Sequence, residues 1–123
     1  IFSAIIHDMD HPGVPNTQLV TEKVPIAAKY KEKSVAEQNS VDLAWEILMG
    51  PQYKELRSCI YSNEDELRRF RQLVVNVVLA TDICDKELQS LRKERWNKAF
   101  SESAVEDDID IDRKATIVIE HLI

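Results

Sequence analysis

The 123-residue chain reads as all-α. Three observations predict this. Gly occurs only twice and Pro four times, which suits helices with short connections. Several segments carry helix-start signals. The apolar residues recur at three- and four-residue spacing rather than in alternation.

Each element follows from local cues. Residues 1 to 11 read as the end of a helix, with an apolar run from Ile1 to Ile6 that leads into His7-Asp8-Met9-Asp10-His11, and Pro12-Gly13 ends it. Residues 12 to 33 hold Pro12, Gly13, Pro15, Asn16 and Pro25, and predict a turn-rich connection with two short helical turns. Ser34-Val35-Ala36-Glu37 has the pattern of a capping box. The helix after it is expected to reach Met49, with Val41, Ala44, Ile47 and Leu48 inward and Gly50-Pro51 as its end. Ser62 or Asn63 starts the next helix, with Glu64, Asp65 and Glu66 in the first turn, where the dipole favours them. Leu67, Phe70, Val74, Val77, Val78 and Thr81 form its inward stripe. Asp85 to Lys98 predicts a charged amphipathic helix, Ser101 to Asp112 a solvated acidic loop, and Arg113 to Ile123 the start of a last helix. Both ends fall inside apolar periodic stretches, so residues 1–123 are expected to be one partial domain, truncated at both ends.

A net charge of −6 argues against a binder of nucleic-acid backbones. No apolar run approaches the length of a membrane span. Cys59 and Cys84 lack CxxC spacing, and each is expected to be a buried free thiol. The acidic stretch is a poor match to a calcium-binding EF-hand loop, because the glycine and terminal glutamate are absent.

The densest chemistry lies in His7-Asp8-Met9-Asp10-His11. Imidazole and carboxylate are ligands that Zn²⁺ and similar cations accept. An apolar lead-in predicts partial burial, and a buried carboxylate needs a cation or another partner. On a helix, His7 and His11 would share one face at i,i+4. The alternative is a polar helix end in which His and Asp pair with each other. His7-Asp8-x-x-His11 also fits a loosened zinc-peptidase motif, but Pro12 and the Asp in place of Glu argue against it.

The order of the segments resembles class I cyclic nucleotide phosphodiesterases, all-helical hydrolases of the HD superfamily. The resemblance rests on IFSAIIHDMDHPGVP at Ile1–Pro15, on Asn16 with Leu19, on Ser34-Val35-Ala36-Glu37 against the family's S-V-x-E, and on Val78-Leu79-Ala80-Thr81-Asp82-Ile83 against its L-A-T-D segment. It implies a multi-helix catalytic domain that hydrolyses 3′,5′-cyclic nucleotides, cAMP or cGMP, to 5′-monophosphates in signal transduction. Two divalent metal ions, Zn²⁺ with Mg²⁺ or Mn²⁺, would activate the attacking water. His7 would ligate the tightly held ion and Asp8 would bridge both. His11 and Asp10 would orient ligands and water, Glu37 would hydrogen-bond the attacking water, Thr81 would hold a further water, and Asp82 would line the pocket. Glu37 is equally explained by the capping box, Thr81 by a bond to its own helix, and Asp82 by a surface position. His121 is read as structural.

The resemblance also implies a cytoplasmic catalytic domain, with regulatory or membrane domains possible in the parent protein. The family has a pair of histidines after the glutamate of S-V-x-E, where Gln38, Asn39 and Ser40 stand here. This departure keeps open a catalytically degenerate regulatory module, and the family's upstream H-N-x-x-H motif, downstream aspartate and purine-holding glutamine do not occur within these residues. A different HD phosphohydrolase is a further reading, because the HD pair alone is widely shared.

Overall fold

The computed structural model describes residues 1–101 and 108–122. Among the described residues eight α-helices follow in order: α1 (Phe2–Ile6), α2 (Asn16–Thr21), α3 (Pro25–Lys29), α4 (Val35–Leu48), α5 (Lys54–Ile60), α6 (Glu64–Leu79), α7 (Lys86–Ala99) and α8 (Asp108–Ile119). A single 3₁₀ turn, Pro51–Tyr53, leads into α5. The described residues contain no strand.

The centre of the molecule is α4 against α6, with α1 laid across both. Ile6, Val41, Ala44, Val74 and Val78 are buried together, and Phe2, Met9, Phe70 and Val75 close over them. The buried Ile and Val side chains each contribute on the order of 1.5–3 kcal/mol when withdrawn from water. Leu19, Ala27, Tyr30 and Val35 form a second cluster that fastens α2 and α3 to the start of α4. The two clusters hold the N-terminal motif, α2 and the head of α4 in one neighbourhood.

Helix α6 follows its local signals. The Asn63 side-chain oxygen accepts from Glu66 N at 2.9 Å, and Glu66 Oε2 accepts from Ser62 N at 2.7 Å. Two otherwise unpaired amides are thereby satisfied. Asp85 caps α7 in the same way through Leu88 N at 3.0 Å. The C-terminus of α4 is held by Arg57, whose Nη1 donates to Leu48 O and Gly50 O, both at 2.7 Å.

Elsewhere tertiary contacts override local expectation. Helix α1 stops at Ile6, and residues 7–10 form turns, so His7 and His11 do not share a helix face. Asp10 adopts the left-handed region (φ 56°), which an α-helix excludes. The motif is also more open than expected: the side chains of His7 and Asp8 are 33% and 69% exposed. Ser34 precedes α4 but makes no capping bond, because its backbone is left-handed (φ 39°). Ile47 turns outward, and Cys59 and Cys84 are free but exposed rather than buried.

The last helix begins at Asp108, earlier than expected. Asp110 pairs with Lys114 one turn on at 3.0 Å, so charge pairing supports helix where a solvated acidic loop is expected. Residues 102–107 of the expected acidic loop lie outside the described residues.

Candidate active site

The site is built where α2, the head of α4 and the segment after α6 meet. Helix α6 ends at Leu79, and Thr81 and Asp82 occupy the turn that follows. Asp82 is only 7% exposed, so the surface-carboxylate reading does not hold. Its Oδ2 accepts from Ser34 Oγ at 2.7 Å and from Asn16 Nδ2 at 3.3 Å, and its Oδ1 accepts from Cys84 N at 3.1 Å. Three donors offset the cost of burying the charge.

Asn16 is the hub. Its Nδ2 also donates to Glu37 Oε2 at 2.8 Å, and its Oδ1 accepts from Ala36 N at 2.9 Å. The cap of α4 is therefore supplied from α2 rather than by Ser34, whose hydroxyl is engaged by Asp82. Glu37 is correspondingly free of the capping role and turns its carboxylate to Asn16. Neither Asn16 nor Ser34 stood out in the sequence as a site residue. Both lie in segments that carry the resemblance, Asn16 with Leu19 and Ser34 in S-V-x-E, but the resemblance assigns neither position a role in the site.

A cleft of about 110 Å³ opens beside this network, and its lining includes His11, Asn16, Glu37, Thr81 and Asp82. Four of the seven residues singled out by the sequence thus converge there. Thr81 Oγ1 donates to Val78 O at 2.6 Å, the bond expected of an ordinary helical threonine, and its lone pairs remain available to accept. His7, Asp8 and Asp10 lie outside the lining of that cleft.

The two motif histidines present opposite faces. His7 Nδ1 lies 2.9 Å from Ala4 O, which can only accept, so Nδ1 carries a proton. Its Nε2 faces Asp8 Oδ2 at 3.2 Å. A nitrogen lone pair and a carboxylate oxygen at that distance are bridged favourably by a cation, either a proton or a metal. A carbonyl that orients one ring nitrogen so that the other can ligate is also the usual arrangement behind a metal-bound histidine. His7 and Asp8 therefore fit a divalent cation as two donors. Among the described residues no three His, Cys, Asp or Glu side chains converge on one point. His11 Nδ1, by contrast, accepts from Gly13 N at 3.0 Å, so the ring proton sits on Nε2 and His11 offers a donor. The zinc-peptidase arrangement, with both histidines on successive turns of one helix, is absent.

His121 packs its ring 4.9 Å from Trp96, and its Nδ1 lies 2.6 Å from Ile117 O, a structural placement away from the cleft. Gln38 donates to Lys33 O at 2.7 Å and stays outside the network.

Residues 1–123 match the family model described as 3′5′-cyclic nucleotide phosphodiesterase. The chain belongs to this family. It is 36% identical over 111 residues to human cGMP-inhibited 3′,5′-cyclic phosphodiesterase 3A, covering 89% of this chain and 9% of that protein. It is 35% identical over 83 residues to the probable 3′,5′-cyclic-AMP phosphodiesterase pde-4 of Caenorhabditis elegans, covering 68% of this chain and 12% of that protein. The chain thus spans about a tenth of the length of these relatives. The crystal structure of the phosphodiesterase domain of the RhoPDE fusion protein from the choanoflagellate Salpingoeca rosetta superposes with a TM-score of 0.73 at 26% identity, covering 98% of this chain and 37% of that one. The all-helical architecture is that of a phosphodiesterase catalytic domain.

Proposed function

We propose that the full protein hydrolyses 3′,5′-cyclic nucleotides, cAMP or cGMP, to nucleoside 5′-monophosphates in signal transduction, and that residues 1–123 form part of its catalytic domain. The observation that carries this reading is the convergence of His11, Glu37, Thr81 and Asp82 on one cleft from three separate segments of a chain of this family.

His7 and Asp8 would hold the cation, taken as Zn²⁺ with Mg²⁺ or Mn²⁺ as the second ion. Divalent cations bound there supply Lewis acidity, which makes water nucleophilic at neutral pH and offsets charge on the phosphoryl oxygens. Asp8 suits a shared position because its side chain is 69% exposed and a carboxylate offers a second oxygen beside the one that faces His7. Glu37, held by Asn16, orients the attacking water through its remaining lone pairs. Thr81, its proton committed to Val78 O, accepts a hydrogen bond from a further water. Asp82 fixes Asn16 and Ser34 and shapes the wall, while Asp10 and the Nε2–H of His11 orient ligands and water at the rim.

The reaction is assigned to the cytoplasm, where two exposed thiols stay reduced. No described helix is long and apolar enough to cross a membrane. In the full protein the domain is proposed to join regulatory or membrane segments.

The test is release of 5′-monophosphate from cAMP and from cGMP by the full-length protein with Mg²⁺ or Mn²⁺ added. Turnover that disappears in Asp8→Ala is the expected result. Absence of turnover with either nucleotide, despite bound metal, would overturn the reading in favour of a regulatory module.

A further inference from the structure

We infer that Asn39 and Ser40, on consecutive positions of α4, are positioning residues that set the geometry of the His7-Asp8 donor pair through the turn that follows it; this rests on the proposed metal role of that pair. The turn is short of support from its own backbone. Only Met9 N to Ile6 O, at 2.9 Å, and His11 N to Asp8 O, at 3.1 Å, close it. Asp10 sits in its middle at φ 56°, a left-handed conformation that Asp adopts more readily than most residues but that still adds no bond to the turn. Further support comes from outside the turn.

Helix α4 does so at two successive residues. Ser40 Oγ donates to Met9 O at 2.6 Å. The same hydroxyl also lies 3.0 Å from Ala36 O on its own helix. One proton cannot serve both fully, and the shorter contact runs to the motif turn. Asn39 Nδ2 donates to Asp10 Oδ2 at 3.2 Å. Ser40 is fully buried and Asn39 is 8% exposed, so both donors sit where water cannot easily take the place of their partners, although Asp10 itself is exposed.

Met9 and Asp10 directly follow Asp8, and Met9 also packs against the α1–α4–α6 core. Pinning the Met9 carbonyl and the Asp10 carboxylate to α4 fixes the direction in which the chain leaves Asp8. The 3.2 Å approach of Asp8 Oδ2 to His7 Nε2 depends on that direction. Residues that orient metal ligands in this manner typically alter affinity by about 10–100-fold when removed.

The experiment measures Zn²⁺ affinity of the full-length protein by chelator competition, with far-UV circular dichroism recorded for each variant. Asn39→Ala suits the purpose because alanine favours the helix and introduces no strain. Asn39→Ala and Ser40→Ala are each expected to weaken Zn²⁺ binding about tenfold or more with helical content unchanged. Asn39→Ala should add nothing in an Asp10→Ala background, since its effect runs through Asp10. Affinity within twofold of wild type for both variants, or fully additive effects of Asn39→Ala and Asp10→Ala, would overturn the inference. Asp8→Ala is the control. If it binds Zn²⁺ as wild type does, or wild type binds none, the metal role of His7-Asp8 itself fails and the inference falls with it. If Asp8→Ala alone loses binding, only the positioning role fails.

Discussion

Replacing Asn16 should disturb both helix α4 and the cleft, because one side chain serves three partners. In Asn16→Ala, Ala36 N loses its acceptor, which costs about 1 kcal/mol as the loss of a helix cap. Glu37 loses a 2.8 Å donor, and a hydrogen bond to a charged group is worth about 1.5–3 kcal/mol. Glu37 is half-buried and can recover part of this from water, so the lower end applies. The 3.3 Å bond to Asp82 is long, and Asp82 keeps Ser34 Oγ and Cys84 N, so its share is the smallest. The total is about 3 kcal/mol, on the order of a hundredfold in the folding equilibrium. Asn16→Asp has the same shape but points a third carboxylate at Glu37 and Asp82. At neutral pH it should destabilise more than Asn16→Ala, and acidification should narrow the gap. Urea unfolding of the full-length protein, followed by circular dichroism, reads both effects. With m of about 1–3 kcal/mol/M, Asn16→Ala should lower the midpoint by roughly 1–3 M. A loss below about 0.5 kcal/mol for Asn16→Ala, or an Asn16→Asp variant as stable as Asn16→Ala at pH 7, would refute the reasoning.

Two further outcomes are expected. Ser34 combines a left-handed backbone with a 2.7 Å bond to the buried Asp82. Ser34→Gly loses the bond but relieves the backbone, whereas Ser34→Ala loses the bond and keeps the strain; in thermal unfolding Ser34→Ala should be the less stable by about 1 kcal/mol, and the reverse order would contradict the assignment. Burial holds the Tyr30 phenol above its ordinary value of 10.0, and its hydroxyl donates to Asp42 at 2.9 Å. A folded-state value above the unfolded one stabilises fully below pH 10 and is lost as pH rises past it. The urea midpoint should therefore fall above pH 10 more steeply in wild type than in Tyr30→Phe, and parallel profiles would count against this.

Much of the architecture was legible because its signals are local. The Asn63 and Asp85 caps act on amides three residues away, and the Val74-Val77-Val78 stripe needs only helical spacing. The four motif segments were legible too, and they carry the family. Where local reasoning erred, a distant partner offered a stronger bond. Ser34 has the sequence of a cap, yet its left-handed backbone (φ 39°) makes no capping bond, and its hydroxyl proton goes instead to the buried Asp82, 48 residues later. The early start of the last helix has a local cause instead: Asp110 and Lys114 stand at i,i+4 and pair, a spacing that the acidic composition of the stretch hides.

Local signals suffice for the helical class, for the residues that start α6 and α7, and for the residue types able to bind cations and water. The folded arrangement alone makes the motif a turn pinned from α4, lets Asn16 cap α4 from α2, and buries Asp82 among three donors. The difference is one of range. Propensity, capping and periodicity act over three or four residues. The cost of burying a charge is relieved by whichever donor the fold brings near, wherever it lies in the chain.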